Sequence, residues 1–75
     1  MYKVGDKVKI RSDLRVDKMY AIVYYNSYMC SYAGKHTTIV RVFPDYYEID
    51  IDAKKWNWTK EMFEDNPSNK LFKLM

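Results

Sequence analysis

Cys30 is the only cysteine in this chain of 75 residues, and that limits how the chain can be held together. A domain this short buries only about 60% of the surface its unfolded chain exposes, so its stability margin is thin. Small domains often compensate with disulfides or bound metals. A lone cysteine closes no internal disulfide. With the single histidine, His36, it also falls short of the four nitrogen and sulfur ligands of a structural zinc site. What remains is a core of large side chains, and here the composition is decisive. Eight Tyr, three Phe and two Trp make 17% of the chain aromatic. Each such ring can bury about 150–250 Å².

The opening "MYKVGDKVKI" shows what kind of core. Gly5 permits a turn. Val8 and Ile10 then alternate with Lys7, Lys9 and Arg11, the period of two of a half-buried strand with a solvated basic face. "RSDLRVDKM" has no sustained period and reads as a long loop. "YAIVYYNSYMCSYAGK" carries mixed signals. Tyr20, Tyr24, Tyr28 and Tyr32 recur every four residues, as on a helix, whereas Ile22, Val23, Tyr24 and Tyr25 favour strands. One reading keeps Tyr20 to Tyr25 extended, with a short helix from Ser27 to Ala33 capped by Asn26 and stopped at Gly34. The other is one helix from Tyr20 to Ala33.

"HTTIVRVF" is β-branched, and its consecutive apolar Ile39 and Val40 call for a bulge or for burial on both faces. In "PDYYEIDID", Tyr47, Ile49 and Ile51 alternate with Tyr46, Glu48, Asp50 and Asp52. Thr38 to Phe43 and Tyr46 to Asp52 therefore predict a hairpin around Pro44-Asp45. "DAKK" reads as a second turn, and Trp56 and Trp58 share one face of a third short strand. Thr59 is placed to cap a single helical turn from Lys60 to Glu64. "DNPSN" is a break. "KLFKLM" reads as a frayed tail or a short final strand. Short strands and tight turns at this density predict a mainly β fold: a small barrel of about five strands, with one short helix and one helical turn. The domain spans 1–65 and the tail 66–75.

The ordered set Val4 to Leu14, then Met29 with Ala33-Gly34-Lys35 and Thr38-Ile39, then Tyr47 with Ile49-Asp50, then Trp56-Asn57-Trp58-Thr59 through Glu61-Met62-Phe63-Glu64 resembles a known group. It is similar to small phage and prophage proteins with an SH3-like barrel, the YorP-like family, over roughly residues 3–65. The resemblance implies an SH3-like barrel and a phage-related origin. It brings no catalytic or binding motif.

The residues themselves offer little chemistry. Cys30 and His36 are six residues apart with no third group to orient them, so a small buried thiol and an exposed histidine are expected rather than a nucleophile and its base. Asp50 and Asp52 match the first two ligand positions of a calcium-binding EF loop, but Lys54 occupies the third and no glycine follows. The acids Asp45, Glu48, Asp50 and Asp52 are expected to lie across from the basic face of Lys7, Lys9 and Arg11, each opposed pair worth about 0.2–1 kcal/mol. Gly5 and Gly34 are too far apart for a phosphate loop. The expectation is a non-enzymatic module with no metal and no small-molecule cofactor.

Aromatic residues interleaved with basic ones are the remaining signal. Tyr24, Tyr25, Lys35, Arg41, Lys54, Lys55 and Trp56 are the candidate binding residues, with Tyr28 and Tyr32 supplying further rings. Such surfaces hold extended peptides, or stack single-stranded bases at about 1–3 kcal/mol each. Of the rings, Trp58 and Tyr47 are expected in the core, and Trp56 with Tyr24 or Tyr25 outside. The net charge is +3, with ten acids interspersed. A protein partner is therefore expected first, and salt-dependent nucleic-acid binding is the alternative. No apolar run approaches the ~18 residues of a membrane span. The free thiol and the lack of a leading signal segment suggest the cytoplasm.

Overall fold

The computed structural model describes residues 2–64; the segment 66–75 lies outside the described residues. Five strands are present among the described residues: β1 (Lys7–Lys9), β2 (Lys18–Tyr20), β3 (Val23–Tyr25), β4 (His36–Val42) and β5 (Tyr47–Ile49). Two 3-10 turns, Met29–Tyr32 and Lys60–Met62, complete the order. The strands form two antiparallel sheets, β1-β4-β5 and β2-β3. The fold is mainly β, as the alternation predicts. Among the described residues the strands do not join into one closed sheet.

The period of two in β1 and β5 does its work. Val8, Ile10, Tyr47 and Ile49 are all buried. The charged faces do not meet as expected, because β1 pairs with β4 and not with β5. Lys7 lies opposite Thr38 and Lys9 opposite His36. Glu48 instead lies opposite Arg41, while Lys9 and Arg11 find Glu64 and Asp13. The consecutive apolar pair in β4 is resolved by a register shift between Ile39 and Arg41, the expected bulge. The turn at Pro44-Asp45 closes with Phe43 N–H donating to the Tyr46 carbonyl at 2.9 Å.

Neither a single strand nor a helix runs from Tyr20 to Tyr25. Ala21 and Ile22 form a two-residue turn, and Tyr20 pairs with Val23. Ala21 takes a positive φ of 56°, a place that hairpins usually give to glycine. The ribbon this creates points Tyr20 and Tyr25 inward, their rings edge to face at 6.1 Å, and leaves Met19 and Tyr24 outside. The expected helix from Ser27 to Ala33 is only the 3-10 turn Met29–Tyr32. Asn26 still caps its entry, with Oδ1 accepting from the N–H groups of Tyr28 and Met29 at 2.9 and 3.1 Å. Gly34 ends it at φ 76° and docks the chain on β1 through the Ile10 carbonyl.

β5 stops at Ile49, short of the expected Asp52. Beyond it the alternation inverts: Ile51 is exposed and Asp52 is buried. The expected third strand at Trp56 to Trp58 reduces to one bridge from Trp58 to the outer edge of β5. A second bridge joins Phe63 to Ile10, at the outer edge of β1. Thr59 does not cap the turn that follows; its hydroxyl donates to the Tyr20 carbonyl at 3.1 Å and ties the segment after Trp58 to β2. The core gathers around the fully buried Trp58, which Tyr25 and Tyr32 meet edge-on at 6.5 and 6.2 Å.

Candidate interaction site

The loop after β5 needs two consecutive residues in the left-handed region, Ala53 at φ 57° and Lys54 at φ 62°. Neither is glycine, so each costs about 1–2 kcal/mol. Asp52 offsets this. Its Oδ1 accepts from the Lys54 N–H at 2.9 Å, and its Oδ2 from the Trp56 N–H at 3.0 Å and the Trp58 indole Nε1–H at 2.9 Å. Three donors satisfy a carboxylate that is only 4% exposed, which is what a buried charge requires. Asp52 therefore fixes the loop to the core and sets where Trp56 emerges.

Trp56, half-buried, stacks on Tyr28 with ring centres 6.0 Å apart and planes within 10°. Tyr28 is 72% exposed. The Lys55 ammonium lies 5.6 Å from the Trp56 ring centre. Lys54 and Lys55 are exposed, and among the described residues neither has a carboxylate within ion-pair distance. The result is a preformed aromatic surface with two cations beside it.

The other predicted residues are scattered. Tyr25, predicted as a surface candidate, is 1% exposed and belongs to the core. It faces inward with Tyr20, and burial, then its contact with Cys30, raises its hydroxyl pKa. Tyr24 is the exposed one of the pair. Its hydroxyl donates to Asp17, and that hydrogen bond is the main cause of its raised pKa. Lys35 is exposed on the segment that leaves the first 3-10 turn. Arg41 belongs to a second stack, where it lies 5.4 Å from the Phe43 ring centre. Phe43 stacks on Tyr46 at 4.5 Å, and Glu48 sits 3.8 Å from the Arg41 Nε. Tyr28 is the residue that sequence reasoning left out of the site. Its four-residue spacing marked it as one of several rings, but nothing in the sequence pairs it with Trp56.

Cys30 is exposed, not the small buried thiol expected. Among the described residues no three His, Cys, Asp or Glu side chains are grouped to hold a metal ion, and no helix is long and apolar enough to cross a membrane. An open depression of about 370 Å³ lies over Lys7, His36, Thr37, Thr38, Asp50 and Ile51. It contains none of the predicted binding residues. There Asp50 Oδ1 accepts from the Thr37 hydroxyl at 2.6 Å and the Thr38 N–H at 3.3 Å, which lowers the Asp50 pKa. No family model matches this chain, and no curated protein or solved structure matches it.

Proposed function

We propose that this chain is a non-enzymatic interaction module that holds an extended segment of a partner protein against the Tyr28–Trp56 stack. The observation that carries this reading is the stack itself: two rings from different elements, fixed in place before any partner arrives and left open to solvent. Preorganised rings lose little entropy on binding. Apolar side chains are also concentrated nearby in sequence. Among the described residues, Val16, Met19, Ile22, Tyr24 and Tyr28 are five of the eight large exposed ones, all from one segment of thirteen residues.

We read the architecture as an SH3-like barrel. Support comes from Trp58 and Phe63, five residues apart, which reach the outer edges of β5 and β1 and so span both sides of the three-stranded sheet. A phage-related origin and a cytoplasmic setting follow from the sequence resemblance and the free thiol, and stand with it as part of the same proposal.

Nucleic-acid binding is the second reading, favoured by the exposed Lys54 and by Lys55 over the Trp56 ring. A single strand needs a groove of cations that tracks several phosphates. Arg41, Arg11 and Lys9 are each paired with an acid, so the basic stripe is interrupted. Selection from a random peptide library on the wild-type chain and on Trp56→Ala tests the proposal. Peptides that need Trp56 are the expected result. The proposal fails if no such peptide emerges while an oligonucleotide pool shifts the amide resonances of Lys54 to Trp56 in a salt-dependent way.

A further inference from the structure

We propose that the segment recognised at the Tyr28–Trp56 face carries a carboxylate beside an aromatic or proline side chain. This rests on the interaction reading above and names the chemistry of its partner. The argument comes from charge. Both stacked pairs among the described residues have a cation near a ring. Over the Phe43–Tyr46 pair, the Arg41 guanidinium is already answered by Glu48. Of the two carboxylates in the loop that carries Trp56, Asp50 is engaged by Thr37 and Thr38 of β4, and the one next to Trp56 in sequence is that of Asp52. It is turned into the core, where the Lys54 N–H, the Trp56 N–H and the Trp58 indole hold both of its oxygens. The fold thus removes the acid from this surface and leaves Lys54 and Lys55 with no carboxylate in ion-pair reach among the described residues.

A surface of rings and unanswered cations is complementary to an acidic group held next to an apolar one. Two adjacent lysines match one or two carboxylates. They do not match the run of phosphates on a nucleic-acid strand, which calls for more cations than this loop presents. The flat, exposed face of Tyr28 accepts a proline or aromatic ring. The favoured occupant is therefore an extended acidic peptide.

The test reads the composition of peptides selected from a random library by three proteins: wild type, Trp56→Ala, and the double variant Lys54→Gln/Lys55→Gln. Wild type is expected to enrich peptides with Asp or Glu within two positions of an aromatic residue or proline. The double variant is expected to lose that acidic enrichment while keeping the ring preference. It should bind the wild-type peptides roughly tenfold more weakly at low salt, with the gap closing as salt rises. Peptides that depend on Trp56 but show no acidic enrichment overturn this inference and leave the interaction reading standing. No peptide dependent on Trp56 overturns both. A random single-stranded DNA pool that binds through Trp56 at physiological salt, more tightly than any selected peptide, also overturns the assignment. Thermal unfolding of the double variant close to wild type confirms that the loss is one of charge.

Discussion

The Phe43–Tyr46 stack with Arg41 over Phe43, and the Tyr28–Trp56 stack with Lys55 over Trp56, are built from the same parts in different settings. In the first, both rings flank one tight turn, and the neighbouring strand supplies Glu48 to the cation. In the second, the rings come from two elements far apart in sequence, and the acid next to them, Asp52, is spent inside the protein. Both stretches of sequence mix aromatic, basic and acidic residues. The contrast shows that the acid's direction decides whether such a mixture becomes a self-contained hairpin end or a surface with charge to offer. Glu48 sits in a regular strand opposite Arg41, so it meets it across the ladder. Asp52 sits just past the strand end, where the left-handed residues Ala53 and Lys54 fold the loop back over it.

The largest expected effect tests this difference directly. Asp52→Ala leaves the Trp58 indole and the Lys54 and Trp56 amides without their acceptor, and an unsatisfied buried donor costs about 1–3 kcal/mol. The loss should reach about 3–5 kcal/mol, comparable to the whole stability of a domain this small. Urea unfolding should find the variant largely unfolded, with Asp52→Asn intermediate. Glu48→Ala removes a 3.8 Å ion pair that is exposed on the Arg41 side and in which the Glu48 Oε1 makes no hydrogen bond, and should cost no more than about 1 kcal/mol. Similar losses for the two alanine variants would break the comparison.

Ring deletions come next and should divide by function. Tyr28→Ala and Trp56→Ala should weaken binding of selected peptides by about ten- to a hundredfold. The unfolding free energy of Tyr28→Ala should change by less than about 1 kcal/mol, because Tyr28 is largely exposed; Trp56→Ala should lose more, about 1–2 kcal/mol, because Trp56 is half-buried against the core. Phe43→Ala should do the reverse: lose about 0.5–1.5 kcal/mol of stability with its stacking partner and leave peptide binding unchanged. Titration and unfolding on the same three variants decide the matter.

How much of this could be read from the sequence depended on how local the cause was. Val8 and Ile10, Tyr47 and Ile49, the bulge at Ile39, the turn at Pro44-Asp45 and the cap at Asn26 are each set by neighbours within a few residues, and each stands in the fold. The turn at Ala21 was hidden because alanine rarely marks a positive φ. Without that turn, which of Tyr24 and Tyr25 faced out could not be read, since a one-residue slip inverts a strand's faces. Asp52 looked like the next member of an outward acidic row because period-two reasoning assumes the strand continues. Tyr28 was legible only as one further ring, because its partner, Trp56, is brought to it only by tertiary folding.

A pH dependence follows from the loop's other acid. The Thr37 hydroxyl and the Thr38 N–H hold the Asp50 carboxyl below its ordinary range. A depressed carboxylate stabilises the fold above its unfolded pKa and loses that contribution as pH falls through the folded value. Urea midpoints should therefore decline below about pH 4. Thr37→Val, which removes the strongest of these contacts, should flatten the decline. An unchanged slope would mean that Asp50 does not couple the start of the loop to β4.

The smallest expected effect sharpens the comparison most. If the Phe43–Tyr46 stack is inert only because Glu48 answers Arg41, Glu48→Gln should convert it toward the other kind of surface. The Arg41 guanidinium would keep its place near the Phe43 ring but lose its acid. At 3.8 Å and exposed on the Arg41 side, this ion pair contributes no more than about 1 kcal/mol, so the released attraction is worth only a few-fold in affinity. Acidic aromatic peptides should then shift the amide resonances of Arg41 to Tyr46 at low salt, and the shifts should vanish as salt rises. Such shifts in wild type, or none in Glu48→Gln, would show that neutralisation is not what separates the two stacks. Geometry would then carry the difference: the stack at the turn would be closed by its own hairpin, and the stack on the loop would be open because Asp52 holds Trp56 out to meet Tyr28.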